Sequence, residues 1–338
     1  MLRFDNLRIP ISENQRIKGI TPYYGANGIQ DYVDGFTHNG EFILIAEDGA
    51  NDIKNYPVQY VNGKIWVNNH AHVLKAKDNN STLFMKYRLN SLDMTPYLSG
   101  CGRYKLNAEV LMKINSFVPS PKEQIKIAAF LSLVDERIKT QNKIIEHYES
   151  LIKSLRDTIL YKNKWKWIKL KDLVDNKSIL LQRGNIIPKH IYDSKFIYPV
   201  YSSSVHNDGL MGFYDSYMFD EELITWSIDG GGNFFLRNKH KFNVTNVCGI
   251  LKILDNSFDY SFLYEILSYQ HSKMVFDYQT KAHPSVIQTI YSIPLLELKE
   301  QQKIGSIFIP LYEKIKIERN ILEHYKLQKE YLLKNLFI

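Results

Sequence analysis

Two cysteines, Cys101 and Cys248, are all that a chain of 338 residues contains. That excludes a disulfide scaffold and a four-cysteine zinc site, and it fits a reducing compartment. No run of about 18 consecutive apolar residues is present, and the N-terminus carries no basic-then-apolar leader. The chain therefore reads as soluble and cytoplasmic, with no membrane association expected. The phosphate-loop pattern GxxxxGK[ST], the Asn-Pro-Pro-aromatic signature of methyltransferases and the zinc-binding helix HExxH are all missing. No catalytic residue, metal site or resident cofactor is expected. What is present is ordinary globular composition, 44% hydrophobic and 23% charged, with 43 Lys and Arg against 36 Asp and Glu for a net charge of +7. That modest excess suits a polyanionic partner. The 23 tyrosines supply side chains that stack and hydrogen-bond at once.

The chain is written twice. Lys122-Glu123-Gln124 recurs as Lys299-Glu300-Gln301, and Glu146-His147-Tyr148 recurs as Glu323-His324-Tyr325, both 177 residues on. The same offset carries Pro22 and Tyr24 onto Pro199 and Tyr201, and Val67 to Lys75 onto Val244 to Lys252. Between these anchors Glu41-Phe42-Ile43 and Asp48-Gly49 match Glu222-Leu223-Ile224 and Asp229-Gly230 at an offset of 181, so a few residues are inserted and later removed. A repeat of this length defines the architecture before any local reading.

Each copy has two parts. The first is rich in Gly, Asn, Tyr and short β-branched runs such as Phe42-Ile43-Leu44-Ile45, which read as strands and tight turns. The second is a long helical stretch of Lys, Glu, Ile and Leu. The expected segments are 1–118, 119–162, 163–296 and 297–338. In the first helix Ile127, Leu131, Val134, Ile138, Gln141, Ile145, Tyr148, Ile152, Leu155 and Ile159 alternate steps of four and three, a heptad seam. Ile304, Phe308, Leu311, Ile315, Glu318, Leu322, Tyr325, Lys329, Leu332 and Leu336 do the same in the second. A helix from Pro121 to Tyr161 is roughly 60 Å long at the α-helical rise, and its apolar seam needs a partner, which the other helix supplies. Gln141 and Glu318 are polar seam positions related by the repeat offset. They either face one another as a register mark in an antiparallel pair or sit on a wet part of the seam.

Three strings carry a resemblance. They are Tyr23-Tyr24-Gly25-Ala26-Asn27-Gly28-Ile29-Gln30-Asp31-Tyr32, then Ala46-Glu47-Asp48-Gly49-Ala50-Asn51, then Trp66-Val67-Asn68-Asn69-His70-Ala71-His72-Val73-Leu74. Together they resemble a target recognition domain of the DNA specificity subunits of type I restriction-modification systems. The helix from Pro121-Lys122-Glu123-Gln124 through Asp135-Glu136-Arg137-Ile138 is similar to that family's spacer helices. The resemblance covers essentially the whole chain, in the order domain, helix, domain, helix. It implies two α/β target recognition domains of similar fold, each followed by a long helix, the two helices packed as an antiparallel coiled coil. It further implies a non-catalytic subunit that reads a split, asymmetric double-stranded DNA target. Two modification subunits would dock on the helices with S-adenosylmethionine and methylate adenine. Motor-nuclease restriction subunits would use ATP and Mg in the full complex. The residues expected to meet partners are Lys122, Glu123, Gln124, Lys299, Glu300 and Gln301.

Base edges are read by side chains offering paired donors and acceptors, with glycine beside them for close approach. In the first domain such groups cluster at Tyr23, Tyr24, Gly25, Ala26, Asn27, Gly28, Asp48, Asn51, Asn68, Asn69 and His70. In the second they are Tyr201, Ser202, Ser203, Ser204, Trp226, Ser227, Asp229 and Asn233. Arg103, Lys105, Lys281 and His283 stand ahead of the helices as phosphate or base contacts. Each of these residues fits a turn or strand-capping role equally well. Scaffold positions agree between the copies while polar ones differ, which implies two different half-sites. Asp229-Gly230-Gly231-Gly232-Asn233 reads as a turn rather than a phosphate cradle, since no lysine or helix follows. His70 and His72, whose counterparts are Val247 and Gly249, read as packed or hydrogen-bonded rather than metal-binding.

The copies differ at their start. Trp165-Lys166-Trp167-Ile168-Lys169-Leu170-Lys171-Asp172-Leu173 leads into the second domain and has no counterpart before the first. That places DNA binding by the first domain in question. The rival reading is a truncated or rearranged specificity subunit acting as a scaffold or competitor for modification subunits without binding DNA.

Overall fold

The computed structural model describes residues 1–102, 104–161, 165–187, 196–204, 206–229, 233–274, 276 and 281–337. The chain divides into two units, Met1–Lys143 with Arg319–Ile338, and Ile144–Glu318. Each holds one sheet domain and parts of both long helices.

In the first unit, β1 (Leu2–Arg3), β2 (Lys18–Gly25), β3 (Gly28–Val33), β4 (His38–Ala46), β5 (Val58–Val67) and β6 (Ala71–Lys75) form one sheet in the order β1-β6-β4-β5-β2-β3. All pairings are antiparallel except β2 with β5. The run Phe42-Ile43-Leu44-Ile45 is buried throughout because both faces of β4 are covered. Ile43 and Ile45 point into a core beneath α1 (Thr82–Asn90) that also takes Phe84, Tyr87 and Leu131, while Phe42 and Leu44 join Val61, Ile65, Val67 and Val73 on the other face. A short hairpin of β7 (Leu98–Ser99) and β8 (Lys105–Leu106), then α2 (Ala108–Met112), lead to α3 (Pro121–Tyr161).

The second unit repeats the plan. A strand β9 (Trp167–Lys169) and a short helix α4 (Leu170–Asp175) come first, followed by β10 (Ile179–Arg183), β11 (Tyr198–Tyr201), β12 (Leu210–Tyr214), β13 (Phe219–Ser227), β14 (Phe234–Val244) and β15 (Cys248–Ile253). The sheet order β10-β15-β13-β14-β11-β12 matches the first unit strand for strand, including the one parallel pair, β11 with β14. Then come α5 (Tyr260–His271), α6 (Pro284–Ile290), β16 (Ser292–Pro294) and α7 (Leu298–Asn335). The caps repeat as well: the Ser81 hydroxyl accepts from Phe84 N–H before α1, and the Asp259 carboxylate from Phe262 N–H before α5.

The lead-in marks the difference between the units. β9 pairs with β16 through Ile168 and Ile293, and α4 buries Leu170 and Leu173. Among the described residues the first unit has no such strand and helix. Residues 113–120 form no strand there, and Phe117, one residue from the repeat position of Ile293, is 77% exposed where Ile293 is buried.

The heptad reading holds along both helices: every seam residue from Ile127 to Ile159 and from Ile304 to Leu332 is buried or half-buried, and only Leu336 is exposed. Gln141 and Glu318 are both buried, and Lys314 holds Glu318 from one turn away at 2.9 Å. In the first unit Asp135 of α3 meets Lys329 of α7 at 2.6 Å and Arg137 lies over the Tyr325 ring, which sets the helices antiparallel. In the second, Arg156 of α3 donates to the Tyr312 hydroxyl and to Glu265 of α5. Pro310 lies inside α7 without ending it; the missing N–H costs one helical bond, and the buried seam on either side holds the helix together. No helix among the described residues is long and apolar enough to cross a membrane.

Candidate nucleic-acid interface

Four segments meet at one end of the first sheet. The β2–β3 turn is tied to the β5–β6 turn by Asn68 N–H donating to Tyr24 O, 3.0 Å. The segment after β4 is tied to the β5–β6 turn by Glu47 N–H donating to His70 O, 2.8 Å, and to β8 by Leu106 N–H donating to Glu47 O, 2.7 Å. The second unit repeats all three bonds, the first two at the repeat positions and the third one residue away from its own. Thr245 N–H donates to Tyr201 O, Ile228 N–H to Val247 O, and Ala282 N–H to Ile228 O, each at 3.0 Å. Backbone bonds do not depend on side-chain identity. They fix the same four-segment frame in both units while leaving the side chains free to differ.

The exposed side chains on this frame are Asn27, Asn51, Asn69 and Lys105 in the first unit, with Tyr24, Gly28, Asp48 and His70 partly exposed. In the second they are Ser204, Asp229, Asn233 and Lys281, with Tyr201, Ser202, Ser203 and His283 partly exposed. Several are already committed. Asn27 donates to Gly49 O and accepts from Asn51 N–H, so its amide braces the loop that carries Asn51. Asp48 faces His70 Nδ1 at 2.5 Å. Gly25 lies against the Gln30 amide, where a Cβ would stand 2.4 Å away, and Gly28 holds φ at +122°, a value that favours glycine. Ser202 accepts from the Thr245 hydroxyl, and His283 caps α6, its Nδ1 accepting from Ser285 N–H.

Six of the expected contact residues are interior, Gly25 against the Gln30 amide among them. Tyr23 lies under the Arg16 guanidinium with its hydroxyl on the Ile11 backbone, and Ala26 is in the main core. Asn68 accepts from His70 N–H and donates to Gln30. The Trp226 indole N–H donates to Ala282 O, and the Ser227 hydroxyl to Asp229 O. These six build the frame instead of facing a ligand, the polar ones because a polar group sealed from water needs its partner inside the protein. Arg103 and glycines 230–232 lie outside the described residues.

The residues expected to meet partners also divide. Gln124 is 0% exposed, accepting from Ser81 N–H and donating to Asn80 Oδ1 and Pro119 O; Gln301 is 1% exposed, accepting from Asp259 N–H and donating to Ser257 O and Leu296 O. Both fasten a long helix to its own sheet domain and are closed to a partner. Glu123 closes a capping box with Ser120. Lys122, Lys299 and Glu300 are exposed.

Beneath the first frame lies a charged network that the repeat does not announce. Arg8 reaches Glu47 at 2.7 Å and the carbonyls of Ala71 and Asn69, and Glu47 also meets Lys105 at 3.1 Å. Burial would raise the Glu47 carboxyl, but its bonds to Arg8 and Lys105 outweigh that and hold it below the usual range. Asp5 is lowered in the same way, burial being outweighed by His72, Val73 N–H and Arg8. His72 and His70 are thus hydrogen-bonded to separate carboxylates. In the second unit Arg183 donates to Asn246 O, the carbonyl equivalent to that of Asn69, from a position that is not the repeat counterpart of Arg8. Arg237 is buried between the Tyr201 and Phe235 rings and donates to Thr225 and to Asp208 O, which holds a loop whose Asn207 and Asp208 have positive φ. Burial depresses the Arg237 pKa.

The family model described as type I restriction modification DNA specificity domain matches residues 1–149 and again 162–326. The chain belongs to that family. A type I restriction enzyme specificity subunit of Haemophilus influenzae is 42% identical over 127 residues, 38% of this chain and 33% of its own length. A type I specificity subunit of Mycoplasma pneumoniae is 32% identical over 167 residues, 48% of this chain and 44% of its own length. The matches therefore span less than half of either relative. The crystal structure of a type I restriction-modification S subunit from M. genitalium shares the fold, with a TM-score of 0.73 and 17% identity over 97% of this chain and 92% of that one. In this specificity-domain family member, the repeated frame is where the two copies share backbone and differ in exposed side chains.

Proposed function

We propose that the chain is a non-catalytic DNA specificity subunit in which each unit reads one half of a split, asymmetric duplex target. The observation that carries this reading is the four-segment frame, held by the same three backbone bonds in both units and dressed with different polar side chains. Hydrogen-bonding side chains on a fixed backbone are what base-edge recognition requires. Different side chains on the same backbone give different half-sites. The long helices dock two modification subunits, which supply S-adenosylmethionine and adenine methylation; restriction subunits with ATP and Mg complete the nuclease. The exposed Lys122, Lys299 and Glu300 remain available for that docking, whereas Gln124 and Gln301 are not.

Methylome sequencing of cells expressing this chain with its modification partner tests the reading. A methylated motif in two parts separated by a fixed gap is the expected result. A complex that assembles but leaves no motif, and shifts no duplex DNA, would turn the assignment to the competitor role.

A further inference from the structure

In each unit the residue that directly follows an exposed lysine has its N–H bonded to the frame backbone and its carbonyl held by a buried side-chain N–H. Leu106 follows Lys105. Its N–H donates to Glu47 O at 2.7 Å, and its carbonyl meets His72 Nε2 at 2.8 Å. Ala282 follows Lys281. Its N–H donates to Ile228 O at 3.0 Å, and its carbonyl accepts from Trp226 Nε1–H at 2.7 Å. A carbonyl only accepts, so His72 Nε2 is the donor.

The two donors are not repeat equivalents. The counterpart of His72 on β15 is Gly249, and that of Trp226 on β4 is Ile45. A Cβ at Gly249 would stand 2.0 Å from the indole, so the tryptophan fills the space that the glycine leaves. Space alone could be filled by any apolar side chain. The two copies instead share an N–H aimed at one carbonyl, delivered from different strands by chemically different residues.

We propose that His72 and Trp226 are positioning residues of the DNA interface, each fixing the carbonyl after a lysine so that Lys105 or Lys281 is presented to a backbone phosphate. The proposal rests on the DNA-reading function above. Both positioning residues are buried, at 1% and 0% exposure, and neither reaches DNA itself. The lysines keep about half their side-chain surface in water and meanwhile rest on carboxylates of the adjoining segment, Lys105 on Glu47 at 3.1 Å and Lys281 on Asp229 at 2.7 Å. A lysine is a flexible point charge. What the fold controls is where its backbone stands, and clamping that backbone removes freedom that binding would otherwise have to remove.

The test uses the full chain with its modification subunit and sheared genomic duplex DNA, with affinity measured across salt concentrations. Trp226→Phe keeps a ring and removes the N–H. Binding should weaken and its salt dependence flatten by about 0.9 in slope, the loss of one phosphate contact, as in Lys281→Ala. The two together should be no worse than either alone, since both remove one contact. In the first unit His72→Leu should flatten the slope and His72→Gln, which carries an amide N–H, should restore it; this pair decides the matter if Trp226→Phe does not fold. Additive losses with Lys281→Ala, or an unchanged slope in Trp226→Phe and His72→Leu, would overturn the proposal while leaving DNA reading intact. Failure of the unsubstituted complex to bind duplex DNA would remove both.

Discussion

Gly249 and Trp226 are packed so closely that a methyl group on the first would lie 2.0 Å from the ring of the second. The Trp226 ring is 0% exposed, with Phe234 packed against it at 5.5 Å between centroids, so it has nowhere to retreat. Gly249→Ala should therefore destabilise the protein by about 3 kcal/mol, the upper range for overpacking a core. Chemical denaturation of the two proteins side by side measures it, and an unchanged midpoint would show that the indole moves aside.

The two buried glutamines make a second prediction. Gln124→Leu strands the Ser81 N–H and the Pro119 carbonyl, and Gln301→Leu strands the Asp259 N–H and two carbonyls. Each substitution should cost about 3 kcal/mol, since a sealed backbone group without a partner forfeits its solvation. The loss should be the same with and without a modification subunit, which thermal unfolding of the free and the complexed chain distinguishes from a docking defect.

Arg156 and Glu265 predict a pH dependence. Glu265 is 1% exposed; burial raises its pKa above 4.5, and Arg156 pulls against that rise at 2.7 Å. A carboxyl whose folded pKa is raised contributes its full stability below its unfolded pKa and loses it as pH rises through the folded value. Arg156→Met takes away the pull, so it should cost about 3–5 kcal/mol at neutral pH, as for breaking one side of a buried pair. The deficit should shrink in acid as Glu265 takes up its proton. Unfolding midpoints measured against pH check this, and a deficit independent of pH would assign the effect to packing.

If the first unit reads DNA as proposed, substitutions at Asn51 and Lys105 should separate base reading from phosphate contact. Asn51→Ala should relax discrimination at one base pair by about 1–3 kcal/mol and leave other positions unchanged. Lys105→Ala should weaken all sequences alike and lower the salt slope by about one. Competition binding with a panel of single-base variants of the methylated motif reads both. An equal loss on every sequence from Asn51→Ala would make that residue a brace, as Asn27 is.

The repeat, the strand-rich and helical halves, and the heptad seam were legible because each is a periodic property of the chain: an offset of 177 and alternating steps of four and three need no knowledge of distant contacts. The segments of the four-segment frame were legible for the same reason. Which of their polar residues face outward was not. Asn68 and Asn69 are neighbours of one type, yet Asn68 is sealed against Gln30 and Asn69 is exposed. Turn geometry sends adjacent side chains in different directions, and composition cannot tell them apart.

Sequence by itself determined that this protein is one unit written twice, with a long apolar-seamed helix after each copy. Tertiary structure alone decided that Trp226 does the work of His72 from another strand, that Arg183 and Arg8 reach equivalent carbonyls from non-equivalent positions, and that Gln124 and Gln301 are fasteners. The physical reason is that a hydrogen bond is specified by where a donor arrives and not by the chain position it leaves. Substitutions at two sites can therefore move the donor while keeping the bond, and an offset in the sequence records only the move.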